Sequence, residues 1–260
     1  MVDLSILQTA PPYLVALIMF VLVVASYVLG HRLRGQAIEN NPDEKESGTT
    51  GWILLGLLGL LLAFAFSMAN SRFDSRRDLV IQEANAIGTV ILRTDVLPDS
   101  VQILLRNNLR QYVEERIAFY QVGMNVEKAI EHYRNADQIA KKVWSITVAY
   151  AKKDPGRTVA SQLIPALNEM IDITTTRRAT GEATIPDSIL YVLFMLCITN
   201  AFLLGYENKS KIDWIIVGGF SIMLSITLFS IIDLDRPRSG LVNMDVPNQK
   251  IIELREMFAE

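Results

Sequence analysis

Long apolar runs and charged stretches divide the chain into alternating segments. Four apolar runs stand out, at residues 13–30, 51–69, 189–206 and 214–232. Each run holds about 18–20 residues, and at about 1.5 Å of rise per helical residue this length crosses the ~30 Å hydrocarbon core of a bilayer. The pattern therefore predicts one transmembrane helix in each run.

The residues between the second and third runs follow a different pattern. Residues 74–182 are rich in charge, with acidic and basic side chains interleaved, and their apolar residues recur at spacings of three and four. That spacing is typical of amphipathic helices that bury one face. We therefore expect an all-α membrane protein with a helical cytoplasmic domain, residues 70–185, inserted between the second and third transmembrane helices. A cytoplasmic C-terminal tail is predicted over residues 233–260.

The second transmembrane helix is not followed by a turn signal. Between Ala69 and Thr94 the sequence contains no proline and no cluster of turn residues, and only Gly88 interrupts it. Pro98 then restricts the preceding residue to extended conformations. The pattern predicts a single helix that continues beyond the membrane to about residue 95, and such a helix couples the two parts of the protein rigidly.

Proline and glycine mark breaks inside the polar domain. The run Asp154-Pro155-Gly156 predicts a turn between the last two of its helices. Pro165 is predicted to kink or restart the last helix, because proline lacks the amide hydrogen and clashes with the preceding turn. Three helices are therefore expected after the second membrane helix.

Basic residues beside the runs predict the orientation. Seven arginines flank the runs on the side of the chain ends and the polar domain, against five lysines and arginines on the other side. Cytoplasmic segments carry the excess of Lys and Arg, so both ends and the polar domain are expected in the cytoplasm, with the protein in a cell inner membrane. The formal net charge of −3 and the lack of a basic stripe argue against a nucleic-acid partner.

Small and polar residues form a stripe on the second run. Gly56, Ala63, Ser67 and Asn70 recur at multiples of about one helical turn. Such a face suits an axial pore, where water or an ion meets the helix. Small residues also let membrane helices pack closely, as Gly56 with Gly59 would. Pore lining and helix packing therefore both stay open, and both hold if several copies ring an axis.

Two further features of this segment could act on ions. Leu62 and Phe66 lie one turn apart and form a candidate hydrophobic constriction that gates by dewetting, although core packing is the commoner role of such a pair. Charged residues follow the run and are candidates for a vestibule that attracts ions: Arg72, Asp74, Arg76 and Arg77. The alternative role of these charges is a salt-bridge network that anchors the helix.

Ionisable residues are absent from the centres of the four runs. Proton-coupled transporters and rotary stators usually need a titratable group at that depth, so the pattern favours passive conduction or a structural role. Cys197 is the one cysteine, and His31 and His132 lie in different regions. Because no metal-ligand or nucleophile–base spacing is present, we predict no cofactor, no metal site and no catalytic residue, and an enzyme is the least favoured class.

Three blocks of the sequence resemble those of a known family. They are ANSRFDSRR at residues 69–77 with EANAIG at 83–88, LNEM at 167–170 with Arg177 or Arg178, and DLDRPRSG at 233–240. In this order, and across most of the chain, they resemble the motifs of the bestrophin-like domain family of four-helix membrane proteins. That family is remotely related to the bestrophin anion channels.

The resemblance implies an architecture and an activity. Bestrophins are pentameric anion channels with four membrane helices per subunit, a helical cytosolic domain between the second and third, and a pore lined by the second. An oligomeric, by this resemblance pentameric, ion channel is therefore expected. Its partners would be inorganic ions (chloride or monovalent cations), the lipid bilayer and further copies of itself. The alternatives are a stator-like, ion-driven subunit that needs a partner chain, and a non-conducting scaffold or sensor.

Overall fold

The computed structural model describes residues 10–40, 50–123, 125–154, 156, 158–208, 210–236 and 245–259. Over these ranges the secondary structure is helical and contains no strand, which confirms the all-α class. Pro155 of the predicted turn and residues 237–240 of the third sequence block lie outside these ranges.

The described ranges contain eight α-helices. A short 3-10 segment follows the second helix at Thr94–Val96, and another follows the eighth at Leu254–Phe258. The helices are α1 Pro12–Asn40, α2 Thr50–Arg93, α3 Asp99–Gln121, α4 Val126–Ala151, α5 Thr158–Glu182, α6 Asp187–Glu207, α7 Trp214–Asp235 and α8 Asp245–Glu253. Four of them, α1, α2, α6 and α7, are long and apolar enough to cross a membrane. These four contain the four apolar runs of the sequence.

The longest helix is α2, with 44 residues. No proline interrupts its backbone hydrogen bonds, so the helix continues from the apolar run into the charged segment. It ends at Arg93, where the Thr94 hydroxyl donates to the Ile91 carbonyl oxygen and a short 3-10 segment precedes Pro98. The sequence predicts this end at about residue 95.

The chain divides into two compact units, and residues 10–72 and 184–236 belong to the first, which we call the apolar unit. In this unit α1 packs along both α6 and α7. One face of each helix fills the core, and the central buried residues are Met19, Val23, Leu58, Leu62, Ala65, Ala69, Leu193, Cys197, Ala201, Leu224 and Leu228. The opposite faces carry large apolar side chains that are exposed in the single chain, as expected of helices that contact lipid.

Two glycines allow α1 and α6 to approach each other closely. A Cβ at Gly30 would lie less than 3.0 Å from the Phe202 carbonyl oxygen, and one at Gly205 less than 3.0 Å from the Tyr27 carbonyl oxygen. Because backbone atoms occupy these positions, no side-chain movement could make room. Close helix contact through small residues is a common way for membrane helices to associate.

The second compact unit, which we call the polar unit, contains residues 73–183 and 245–259. Its core joins the second half of α2 to α3, α4 and α5, with buried residues including Ile87, Val90, Ile91, Leu109, Tyr112, Val113, Val143, Leu163, Leu167 and Met170. The stripes of apolar residues at helical spacing therefore form one continuous core. Helix α5 passes through Pro165 without restarting. Pro165 is exposed, as is Ser161 one turn earlier, so water can reach the carbonyl that loses its hydrogen bond.

The last described segment folds back onto the polar unit. Ile251 and Leu254 are buried in its core, the Arg106 guanidinium donates to the Met257 carbonyl oxygen at 2.5 Å, and Arg255 forms two hydrogen bonds with the Glu114 carboxylate. Residues 245–259, predicted as part of a tail, thus form α8 and a 3-10 segment that belong to a folded core.

The glycine contact predicts a site-specific loss of stability. We expect Gly205→Ala to lower the free energy of unfolding by about 1–3 kcal/mol, because the added methyl group forces α1 and α6 apart. Gly218→Ala is the matched control, since nothing lies within 4 Å of a Cβ at Gly218. Thermal unfolding of the purified protein in detergent would measure both, and equal melting temperatures would contradict the close-contact assignment.

Candidate functional site

An exposed stripe runs along α2 in the apolar unit. Gly56, Ala63, Ser67 and Asn70 are all exposed, and at 100° per residue they lie within about 60° of one another around the helix axis. Gly59 falls beside them, and a Cβ there would meet no atom within 4 Å. The four predicted pore-lining residues therefore share one exposed face of α2.

The part of α2 that belongs to the polar unit carries two exposed charges. Asp74 and Arg77 lie one turn apart, with an Nη1–Oδ1 distance of 4.0 Å and about half of each side chain exposed. Arg77 also approaches Asp78, with its Nε 3.9 Å from the carboxylate. Exposed pairs of this kind contribute little to stability, so these charges can respond to ions in the surrounding water.

The predicted constriction pair does not lie on one face. Leu62 is only 7% exposed and packs in the core of the apolar unit, whereas Phe66 is 43% exposed. A spacing of four residues turns the helix by about 40°, which is enough to carry Leu62 past the edge of the exposed surface. Phe66 alone remains at the border of the stripe.

Two of the four predicted vestibule charges lie away from the stripe. Arg76 is only 4% exposed. Its Nε donates to the Thr180 carbonyl oxygen at 3.4 Å, and its Nη2 donates to the Ala183 carbonyl oxygen at 2.6 Å. It thereby satisfies backbone groups at the end of α5. The Arg72 guanidinium donates to Met68 Sδ at 3.9 Å. Residues a few positions apart cover every side of a helix, so nearness in sequence was a poor guide here.

A buried cluster of charges in the polar unit was missed by the sequence reasoning. The Glu83 carboxylate, 0% exposed, accepts from Arg116 Nε at 2.5 Å and from Arg177 Nη1 at 2.5 Å. The Tyr120 hydroxyl donates to the same carboxylate at 3.0 Å. Arg177 also donates to the Asn248 side-chain oxygen at 3.0 Å. One carboxylate therefore holds together α2, α3 and α5, and through Arg177 also α8.

The electrostatics of the cluster follow from burial and pairing. Glu83 lies well beyond the apolar run that ends at Ala69. Burial would raise the pKa of Glu83, but the attraction of the Arg116 and Arg177 guanidinium groups outweighs burial and lowers the pKa to about 2. Burial lowers the pKa of Arg116, and the Glu83 charge reverses this and raises it. Glu83 and Arg116 are therefore both charged at neutral pH.

Aromatic rings lie beside the guanidinium groups of Arg116 and Arg177. The Arg116 guanidinium carbon lies 5.0 Å from the centre of the Phe119 ring and 5.4 Å from that of Tyr120, and that of Arg177 lies 3.9 Å from the Tyr120 ring. Burial raises the pKa of Tyr120 above its usual range, so its hydroxyl keeps its proton and acts as a donor. Cation–π contacts of this kind stabilise charge where water is excluded.

A local signal for this cluster existed in the sequence. Arg116 lies four residues after Tyr112 and next to Ile117, inside the apolar stripe of α3. A charged residue within a stripe that faces a core needs a buried partner of opposite charge. Its partner is 33 positions away along the chain, and no local rule identifies it. Among the described residues, no group of three His, Cys, Asp or Glu side chains could hold a metal ion.

The sequence and the fold together identify the family. Residues 14–245 match the family model of the bestrophin-like domain. The chain belongs to the bestrophin-like domain family. This confirms the resemblance of the three sequence blocks, and it makes the four long apolar helices those of a bestrophin-like membrane protein. No curated protein matches the sequence significantly.

Solved structures agree with this bestrophin-like fold. A bacterial bestrophin homolog from Klebsiella pneumoniae superimposes with a TM-score of 0.67 at 15% identity, covering 94% of this chain and 98% of that one. Structures of two variants of that homolog, each with a single substitution, give TM-scores of 0.67 and 0.68 at 16% and 15% identity; both cover 94% of this chain and 99% of theirs. At this level of identity the similarity establishes the fold.

The buried carboxylate predicts a defined pH dependence. The pKa of Glu83 is about 2 in the fold and near 4.5 for a glutamate in the unfolded chain, so its stabilising contribution is complete above about pH 4.5 and is lost as the pH falls towards 2. We expect Glu83→Gln to lower the free energy of unfolding at neutral pH by about 3–5 kcal/mol, because buried Arg116 loses its counter-charge. The variant should also lose the acid-dependent part of the wild-type stability curve.

A matched control separates burial from charge. Glu114 is about half exposed and pairs with Arg255, so Glu114→Gln should change the free energy of unfolding by less than about 1 kcal/mol. Chemical denaturation at a series of pH values would measure both variants. A similar decrease in the free energy of unfolding in both variants would show that the buried Glu83 cluster stabilises the fold no more than an exposed ion pair does.

Proposed function

We propose that this bestrophin-like chain is a subunit of an oligomeric ion channel in which copies of α2 surround a central pore. The exposed stripe of Gly56, Ala63, Ser67 and Asn70 is the observation that carries this proposal. Elsewhere on the same span the exposed side chains are large and apolar, as at Leu57 and Phe64. A polar stripe is unfavourable against lipid and favourable against water.

Family membership supports the same conclusion. The bestrophin-like fold places four long apolar helices in one chain, and bestrophins use the second of these helices as the pore lining of a pentamer. A pentamer around α2 would bring five stripes together at one axis. The small residues Gly56, Gly59 and Ala63 would leave room for water there, and Phe66 would border the passage.

The charges on α2 bear on ion selection. Asp74 and Arg77 form an exposed pair, so α2 presents charges of both signs in its polar segment. Chloride and monovalent cations are the two candidate ions, and the reversal potential under opposed chloride and potassium gradients distinguishes them. By the positive-inside rule, we place the polar unit and both ends of the chain in the cytoplasm, and the protein in a cell inner membrane.

Ion flux through liposomes tests the proposed function directly. Purified protein reconstituted into liposomes should dissipate a chloride or a potassium gradient, and particle images should show copies arranged around a central passage. Liposomes that stay impermeable under every gradient would favour a non-conducting scaffold. Flux that appears only with a co-purified partner chain would favour a stator-like subunit.

A substitution on the stripe tests its role. We expect Asn70→Leu to lower the current several-fold, because an apolar side chain on the pore face promotes dewetting. Ser71→Leu is the matched control: Ser71 is also exposed and polar, but it lies about 100° farther around α2. Single-channel or liposome flux recordings would compare the two with the wild type, with melting temperatures as a check on folding. Equal currents for both variants would contradict the pore-face assignment.

A further inference from the structure

An apolar groove lies between α2 and α6 in the apolar unit. Its volume is about 320 Å³. The lining residues are Leu61, Phe64, Ala65, Met68, Ser188, Ile189, Val192 and Leu193. Apart from the Ser188 hydroxyl, every lining side chain is apolar, so the groove suits a hydrocarbon ligand and offers little to a polar one.

The groove faces away from the exposed stripe. On α2 it is lined by Leu61, Phe64, Ala65 and Met68. Phe64 lies about a third of a turn of the helix from Asn70, and the other three lie about half a turn from it. If α2 rings an axis as proposed above, its groove side points outward, away from that axis. A groove that faces outward on a membrane helix contacts lipid. The outward direction of this groove rests on the proposed function.

A positive charge marks one end of the groove. Arg72 follows Met68 by one helical turn, and its guanidinium Nη2 lies 3.9 Å from Met68 Sδ. A thioether sulfur is a weak acceptor, and within the described part of the chain Arg72 forms no ion pair. Asp187, the acidic residue beside the groove, is close enough to Arg236 to interact with it electrostatically.

We propose that this groove binds an acyl chain of an anionic phospholipid whose phosphate group is held by the Arg72 guanidinium. The apolar run of α2 ends at Ala69 and charged residues follow, so Arg72 lies where the lipid headgroups begin. A guanidinium pairs with two phosphate oxygens at once. The site thus combines an apolar slot with a cation at the headgroup level.

Lipid competition tests the headgroup contact. Native mass spectrometry of the full-length protein, released from detergent after incubation with equal amounts of phosphatidylglycerol and phosphatidylcholine, counts the lipids that stay bound. We expect the wild type to retain phosphatidylglycerol several-fold more than phosphatidylcholine, and Arg72→Gln to abolish this preference. Arg32→Gln is the matched control, since Arg32 is an exposed arginine on α1. Retained preference in Arg72→Gln, or equal loss in both variants, would overturn the proposal.

A second pair of variants tests the groove itself. Val192 lines the groove and is 44% exposed, whereas Met195 on the same helix is 61% exposed and does not line it. Val192→Phe should fill the slot and lower the occupancy of both lipids several-fold, while Met195→Phe should leave occupancy unchanged. The same occupancy in Val192→Phe as in the wild type would overturn the assignment of the site.

The rival occupant is a second copy of the chain. Oxidation of a Val192→Cys variant into disulfide-linked dimers would place a neighbouring subunit in the groove and overturn the lipid proposal. Lipid retention is measured without any ion flux. Failure of the lipid site therefore leaves the Asn70→Leu test of conduction intact, and failure of conduction leaves the Arg72→Gln test intact.

Discussion

The Glu83 carboxylate is the constraint on which the rest of the structure depends. A charge that is 0% exposed is stable only if opposite charges and donors surround it, and Arg116, Arg177 and Tyr120 do so from two other helices. Within the polar unit, the pairing of this carboxylate fixes which side of α2 faces the core.

Because α2 is one continuous helix, its faces have separate physical roles. One side supplies Leu58, Leu62 and Ala69 to a packed core. The stripe around Asn70 is small and polar, and we propose that it meets water. The third surface carries the groove beside Met68, and we propose that it meets lipid. Each role follows from the size and polarity of the side chains on one face of the helix. A substitution on one face therefore leaves the side chains of the other two faces in place.

The structure separates the predicted site residues into exposed and buried ones. Gly56, Ala63, Ser67 and Asn70 are exposed together, because positions three, four and seven apart must share a side of a helix. Leu62 and Arg76 are buried instead. Sequence alone places a residue at an angle around the helix axis, but it does not say which angle faces the core.

The sequence by itself determined the helical class, the four helices long and apolar enough to cross a membrane, and the unbroken length of α2. These follow from apolar run length, helical spacing and the absence of proline, which are local properties of the chain. Tertiary structure alone decided the pairing of Glu83 with Arg116 and Arg177, across 33 and 94 positions, and the return of α8 to the core of the polar unit. Such contacts depend on the path of the whole backbone, because a buried charge is neutralised by whichever partner the fold brings to it.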